Sequence, residues 1–249
     1  MEASWHDPAV PAPAREFKTT IWRVVLDAGN DSESVVQQAL EQLCEAYWFP
    51  LYAYVRRQGH SPEDAQDLTQ AFFARFLERG YFARADPERG KFRTFLLSSL
   101  KYFLHEEWRR NQRLKRGGGK VFQPIAPEEA ENRYTAEPSD GLSPDVLYDR
   151  RWAEALLEQV MARLARDYES TGRTAVYTRL QQFLWGRQAE VSYAEMGAEL
   201  GMAEGAVKVA VHRLRQRFRD LLREEVANTA QTPEQVEEEL RHLMGVFAV

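Results

Sequence analysis

The chain has 249 residues, 44% of them hydrophobic and 29% charged, with a formal net charge of −5 and a mean hydropathy of −0.56. That is enough apolar material for one large core or two small ones, and no apolar run approaches the roughly 18 residues of a spanning helix, so no membrane segment is expected. A single cysteine, Cys44, excludes an internal disulfide or thiolate metal cluster, and the first 15 residues hold Trp5, His6, Asp7 and three prolines where a secretory signal needs an apolar stretch. A reducing cytoplasm is the expected compartment.

In chain order, residues 1–16 are rich in Pro and Ala without periodicity and predict a disordered leader. Val36, Leu40, Leu43, Tyr47, Leu51 and Tyr54 then recur at three- and four-residue steps, one face of a helix that Pro50 should kink. Ser61-Pro62-Glu63-Asp64 supplies an N-cap, a proline at the first helical position and early acids, opening a helix with Leu68, Phe72, Phe73, Phe76 and Leu77 that closes at Gly80. After turn-rich 86–90, Phe92, Phe95, Leu96, Leu100, Phe103, Leu104 and Trp108 mark a third helix, running into Arg109, Arg110, Arg113, Lys115 and Arg116 and ending at Gly117.

Residues 117–147 add Pro124, Pro127, Pro138, Gly141 and Pro144 to an acidic bias without hydrophobic period, the composition of a linker. Beyond it Trp152, Leu156, Val160 and Leu164 begin a second helical unit, which continues through 175–185 to a helix pair around Gly201. The expected fold is all-α: leader 1–16, helical domain 17–116, flexible acidic linker 117–147, helical domain 148–226 containing a helix-turn-helix, and an amphipathic extension 227–249. In that extension Val236, Leu240, Leu243 and Phe247 form an apolar stripe beside Glu234, Glu237, Glu238 and Glu239, as in a helix that docks on its own protein or a partner.

Charge is divided unevenly, and phosphates respond to local clusters rather than totals. Residues 101–120 hold seven Lys and Arg against two Glu (+5), and 204–223 hold six against Glu204 and Asp220 (+4). Residues 127–149 carry seven acids against Arg133 (−6), and 224–249 six against Arg241 (−5). On the second island Val207, Val211, Leu214, Phe218 and Leu221 share one helical face, while Val209, His212, Arg213, Gln216 and Arg223 lie opposite, flanked by Lys208, Arg215 and Arg219. One face packs and the other is basic, which suits the DNA major groove. On the first island aromatic and basic residues interleave, suiting phosphate contact with stacking on unpaired bases, but at helical spacing Phe95, Phe103 and Trp108 are expected in the core, which leaves the basic tail and Tyr102 or Phe92 as the DNA candidates.

Catalytic and metal patterns are missing. Gly117-Gly118-Gly119-Lys120 lacks the spacing and following Ser or Thr of a phosphate loop, and the five histidines never pair at metal-ligand spacing. Cys44, on an amphipathic helix, reads as a buried small apolar residue. No enzyme, metal or cofactor is expected.

At this point the motifs resemble a known family. His60-Ser-Pro-Glu-Asp-Ala-Gln-Asp-Leu-Thr-Gln-Ala-Phe-Phe73 resembles the conserved second region of bacterial sigma factors. Asp86-Pro-Glu-Arg-Gly-Lys-Phe-Arg-Thr-Phe-Leu96, followed by Glu106-Glu-Trp-Arg-Arg110, is similar to the strand-opening and −10-reading segment of the extracytoplasmic-function (ECF) group. Tyr193-Ala-Glu-Met-Gly-Ala-Glu-Leu-Gly-Met-Ala-Glu-Gly-Ala-Val-Lys208, with His212-Arg213-Leu214-Arg215, is similar to that group's fourth region, which reads the −35 element. Ala203 stands where the family usually caps the second helix with Ser or Thr.

The resemblance implies a protein that binds the clamp and flap regions of core RNA polymerase, reads promoter DNA, and leaves room for an inhibitory or regulatory protein. It implies polymerase contact by Asp64, Asp67, Gln70 and Phe73. It implies −10 contact by Arg89, Lys91, Phe92, Arg93, Lys101, Tyr102, Arg109, Arg110 and Arg113, and −35 contact by Lys208, Val209, His212, Arg213 and Gln216. A two-domain helix-turn-helix regulator that never touches polymerase is the competing reading; it leaves the Asp64–Gln70 surface and the aromatic-basic third helix without a role.

Overall fold

The computed structural model describes residues 46–78, 91–111, 127–135, 141–185, 191–230 and 232–247, and among these every regular element is a helix. The described helices are α1 (46–57), α2 (Pro62–Glu78), α3 (Phe92–Asn111), α4 (Pro127–Thr135), α5 (Pro144–Ser170), α6 (Thr174–Leu180), α7 (Tyr193–Leu200), α8 (Glu204–Ala227) and α9 (Pro233–Val246), with a 3₁₀ turn at Gln181–Phe183. None of them is long and apolar enough to cross a membrane. The leader, Cys44 and the stretches 79–90 and 112–126 lie outside the described residues.

Aromatic rings dominate the first unit. Trp48 and Tyr52, one turn apart on α1, stack at 5.2 Å, and α1 continues through the buried Pro50. The Ser61 hydroxyl accepts from the Asp64 amide and opens α2, whose Phe72 and Phe76 pack together at 5.3 Å. Phe72 meets Phe103 of α3 edge-on at 5.7 Å, which ties the two helices together. Such pairs contribute about 0.5–1.5 kcal/mol each beyond area burial.

The second unit is built on α5. Ser143 caps it by accepting from the Val146 amide, Pro144 occupies its first turn, and Leu147, Tyr148, Trp152, Leu156, Val160 and Leu164 form its buried stripe. Across that stripe lies α8, which buries Val207, Val211, Leu214, Leu221, Leu222 and Val226. A capping box between Ser192 and Glu195 starts α7, and Gly201, left-handed at φ 64°, ends it.

Two features depart from the sequence expectation. Part of the expected linker is helical: α4 buries Ala130, and its Glu131 accepts from Tyr52 Oη at 2.5 Å and from Arg56 Nε and Nη2 at 2.9 and 2.7 Å. From the same helix Arg133 reaches Glu158 of α5 at 2.6 Å and lies 4.5 Å over the Phe49 ring. The buried side chains also form one continuous cluster that runs from α1–α3 into α5, α8 and α9. In that cluster α9 packs on α8 and α5 through Leu243, with Val236, Leu240 and Val246 beside it.

Candidate nucleic-acid interface

The outer face of α8 is set by its buried one. With Val207, Val211 and Leu214 buried, a rotation of 100° per residue leaves Lys208, Val209, His212, Arg213 and Gln216 exposed, with Val209 at 51%. The structure therefore brings all five expected −35 residues onto one open surface. Lys208 pairs with Glu204 at 2.7 Å and lies 5.9 Å from the Tyr193 ring; the Glu204 carboxylate raises its pKa. Gln216 donates to Asp220 at 3.1 Å. Nothing caps α8 at Ala203 through a side chain.

Neighbouring arginines of that helix have other work. Arg215 donates from Nε and Nη2 to the Phe183 carbonyl at 2.9 and 2.7 Å, tying α8 to the 3₁₀ turn. Arg217 reaches Asp167 of α5 at 2.6 Å, and Arg223 pairs with Glu237 of α9. Charge counting along the sequence could not separate these from the outward cations, because all lie on one basic helix; their partners come from other elements.

On α3, Lys101, Tyr102, Trp108 and Arg109 are exposed, Tyr102 and Trp108 at 60% each. Trp108, expected in the core by its spacing, instead stands in solvent because it falls off the buried face of α3, while Phe103 is buried and Phe95 half-buried. Lys101 pairs with Asp145 and lies 5.7 Å over the Tyr54 ring, and Tyr102 donates to Glu106 at 3.0 Å. Between α2 and α3 a cleft of about 290 Å³ opens beside Tyr102, with Phe72, Phe76 and Phe95 as its apolar walls and Ser98 and Ser99 as its hydroxyls. Nothing in the sequence pattern marked it, since it needs both helices at once.

The start of α3 is closed instead of open. Phe92 is 4% exposed and meets Tyr47 edge-on at 5.3 Å, so it is a core residue in this structure and presents no face for a base. Arg93 is 8% exposed: its Nε donates to Glu239 of α9 at 2.9 Å, Nη1 pairs with Asp149 of α5, and the guanidinium lies 5.0 Å over the Trp152 ring. Burial alone would lower the Arg93 pKa, but the Glu239 and Asp149 carboxylates outweigh it and hold it above its usual value. Lys91 pairs with the same Glu239 at 2.9 Å. Arg89, Arg113 and the Arg110 side chain lie outside the described residues.

On α2, Asp64 and Asp67 are exposed, whereas Gln70 and Phe73 are buried, at 8% and 3%. The polymerase-contact expectation for the latter two rested on position along the motif; the helix turns them inward, where Phe73 packs on Phe72 at 5.5 Å.

The described residues thus form two all-α units, one with an aromatic-basic helix and one with an outward basic face on a helix pair. The family description "Sigma-70 region 2" matches residues 43–114, the segment that holds α1, α2 and α3. The chain is 26% identical over 208 residues to the ECF RNA polymerase sigma factor SigE of Mycolicibacterium smegmatis, covering 84% of this chain and 70% of that protein. It is 29% identical over 161 residues to the ECF RNA polymerase sigma factor SigF of Caulobacter vibrioides, covering 64% and 72%. No solved structure matches significantly. The chain is thus similar to ECF sigma factors over most of its length, and its segment 43–114 matches their second region.

Proposed function

We propose that this protein binds core RNA polymerase and directs promoter-specific transcription initiation, reading −35 duplex DNA with α8 and opening the −10 element with the first unit. The observation that carries this reading is the conjunction, in one chain, of a sigma-70 region 2 segment over 43–114 with the five-residue outward face of α8. In the major groove Arg213 supplies a pair of donors and Gln216 a donor and an acceptor for base edges, Val209 an apolar contact for a thymine methyl, and Lys208 a phosphate contact. On α3, Lys101 and Arg109 hold phosphates while Tyr102, Trp108 and the adjacent cleft stack an unpaired base; stacking contributes about 1–3 kcal/mol per base. The exposed acids Asp64 and Asp67 are the part of α2 offered to polymerase. Acidic segments elsewhere leave the free chain a weak duplex binder, with specificity gained on joining polymerase.

The test is reconstitution with core polymerase and mapping of transcription start sites. Starts clustered behind shared upstream elements are expected. Tight, specific duplex binding by the free chain with no new start sites would establish the competing reading of a regulator that acts without recruiting polymerase.

A further inference from the structure

Glu239 lies on a helix whose neighbouring acids, Glu237 and Glu238, face solvent, yet it is itself 4% exposed. A buried carboxylate is retained only with compensating charge, and removing its partners is strongly unfavourable. Its two oxygens meet cations from the far side of the molecule: Oε2 accepts from Arg93 Nε and Oε1 faces Lys91 Nζ, both at 2.9 Å. The gap left among Lys91, Phe92, Arg93, Thr229, Gln235 and Glu239 is only about 10 Å³, room for one water at most. No phosphate enters while α9 is in place.

Lys91 and Arg93 are a lysine and an arginine converging on one oxyanion, the arrangement that also holds a phosphate, since carboxylate and phosphate oxygens accept the same charge-assisted hydrogen bonds. We infer that α9 is an intramolecular competitor for DNA: the Glu239 carboxylate occupies the anion site of Lys91 and Arg93, and this site takes a phosphate of the promoter's single-stranded region only when α9 swings away. The inference rests on the proposed promoter reading and on the DNA contact that the family resemblance implies for Lys91 and Arg93. On the second unit α9 is docked by the buried Leu243 and by the Arg223–Glu237 pair. Competition lowers apparent DNA affinity by the fraction of chains that are open, so an isosteric loss of the Glu239 charge raises it by the inverse of that fraction.

The test uses the full chain carrying Glu239→Gln, with binding of a fluorescent single-stranded oligonucleotide followed by anisotropy. An affinity about fivefold or more above that of the unsubstituted chain is expected, corresponding to a site at least about 80% closed. Alongside it, hydrogen exchange of the unsubstituted chain is compared between the free protein and the reconstituted promoter complex; amides of 233–246 should exchange faster in the complex. Unchanged oligonucleotide affinity in a folded E239Q chain, or equal protection of α9 in both states, overturns the inference. Should E239Q fail to fold, the exchange comparison decides by itself. If the chain joins no polymerase and starts no transcript but E239Q still tightens oligonucleotide binding, the sigma reading fails and the competition for the anion site stands.

Discussion

Gly197 shows how one absent atom shapes the second unit. A Cβ at this position would come within 2.5 Å of the Met202 carbonyl oxygen, and the Gly197 carbonyl itself accepts from the Met202 amide at 2.8 Å. The chain passes over α7 at backbone contact distance, and backbone cannot yield as a flexible side chain does. Gly197→Ala should therefore destabilise the second unit by about 1–3 kcal/mol, the usual range for overpacking, measured as a lowered midpoint in thermal unfolding. Two arginines of α8 should separate in the same way. Arg215→Ala removes both hydrogen bonds to the Phe183 carbonyl and should cost about 1–3 kcal/mol of stability while leaving base preference unchanged. Arg213→Ala should cost about 1–3 kcal/mol of promoter affinity and relax discrimination at one position. An altered base preference in the Arg215 variant, or an unaltered one in the Arg213 variant, would remove the assignment of these roles.

At the scale of elements, what was legible depended on repetition. The helices over 62–78, 92–111 and 144–170 announce themselves by apolar residues every three or four positions, the first with a capping signal at its start as well, although the third begins inside the expected linker. Nine residues with one buried alanine carry no such period, which is why α4 was hidden inside a segment that reads as linker. What fixes α4 is the fork between Glu131 and Arg56, whose guanidinium holds the Glu131 carboxyl below the ordinary range, and this pairing joins positions 75 residues apart. Similarly, the stripe of α9 told that it docks, while its polar face gave no hint that one glutamate among four would be buried. The docking of α9 should also depend on pH. His242 is 3.3 Å from Asp149 and beside the Trp152 ring, and burial followed by the charge of Arg93 lowers its pKa from 6.5, with Lys91 acting in the same direction and Asp149 and Glu239 opposing. A histidine held below its free value binds fewer protons docked than undocked, so its contribution to docking is complete above pH 6.5 and is lost as pH falls from there toward the docked value. Amide exchange in α9 should accelerate between pH 7.5 and 5.5, and His242→Asn should flatten that dependence.

For the whole molecule, closure and function make opposite geometric demands. The start of α3 touches α9 through Arg93 and Glu239, α9 touches α8 through Glu237 and Arg223, and α8 is only about 36 Å long at 1.5 Å per residue. A reader of the −10 element and a reader of the −35 element are separated on a promoter by about 25 base pairs, or about 85 Å at roughly 3.4 Å each. Reading both elements at once asks α3 and the outward face of α8 to span that distance. Among the contacts that close the molecule are ion pairs of the kind that can be exchanged, from Arg93 of α3 to Glu239 and Asp149, which polymerase and DNA can replace with their own. The acidic segments of the sequence thus acquire a structural purpose that net charge could not reveal, as they supply the carboxylates that hold the basic helices in the closed form. With Cys44→Ser as background, His105→Cys on α3 and Asp220→Cys on α8 provide exposed sites for a spin-label pair. Distance measurement should give a short, narrow distribution in the free chain and a shift by tens of ångströms in the promoter complex, consistent with the 85 Å spacing. High salt should populate the longer distances in the free chain as well, since it screens the exposed ion pairs that contribute to closure. A distribution that stayed short in a complex competent for initiation would mean that the two units read DNA without separating, and that the closed structure is the working one.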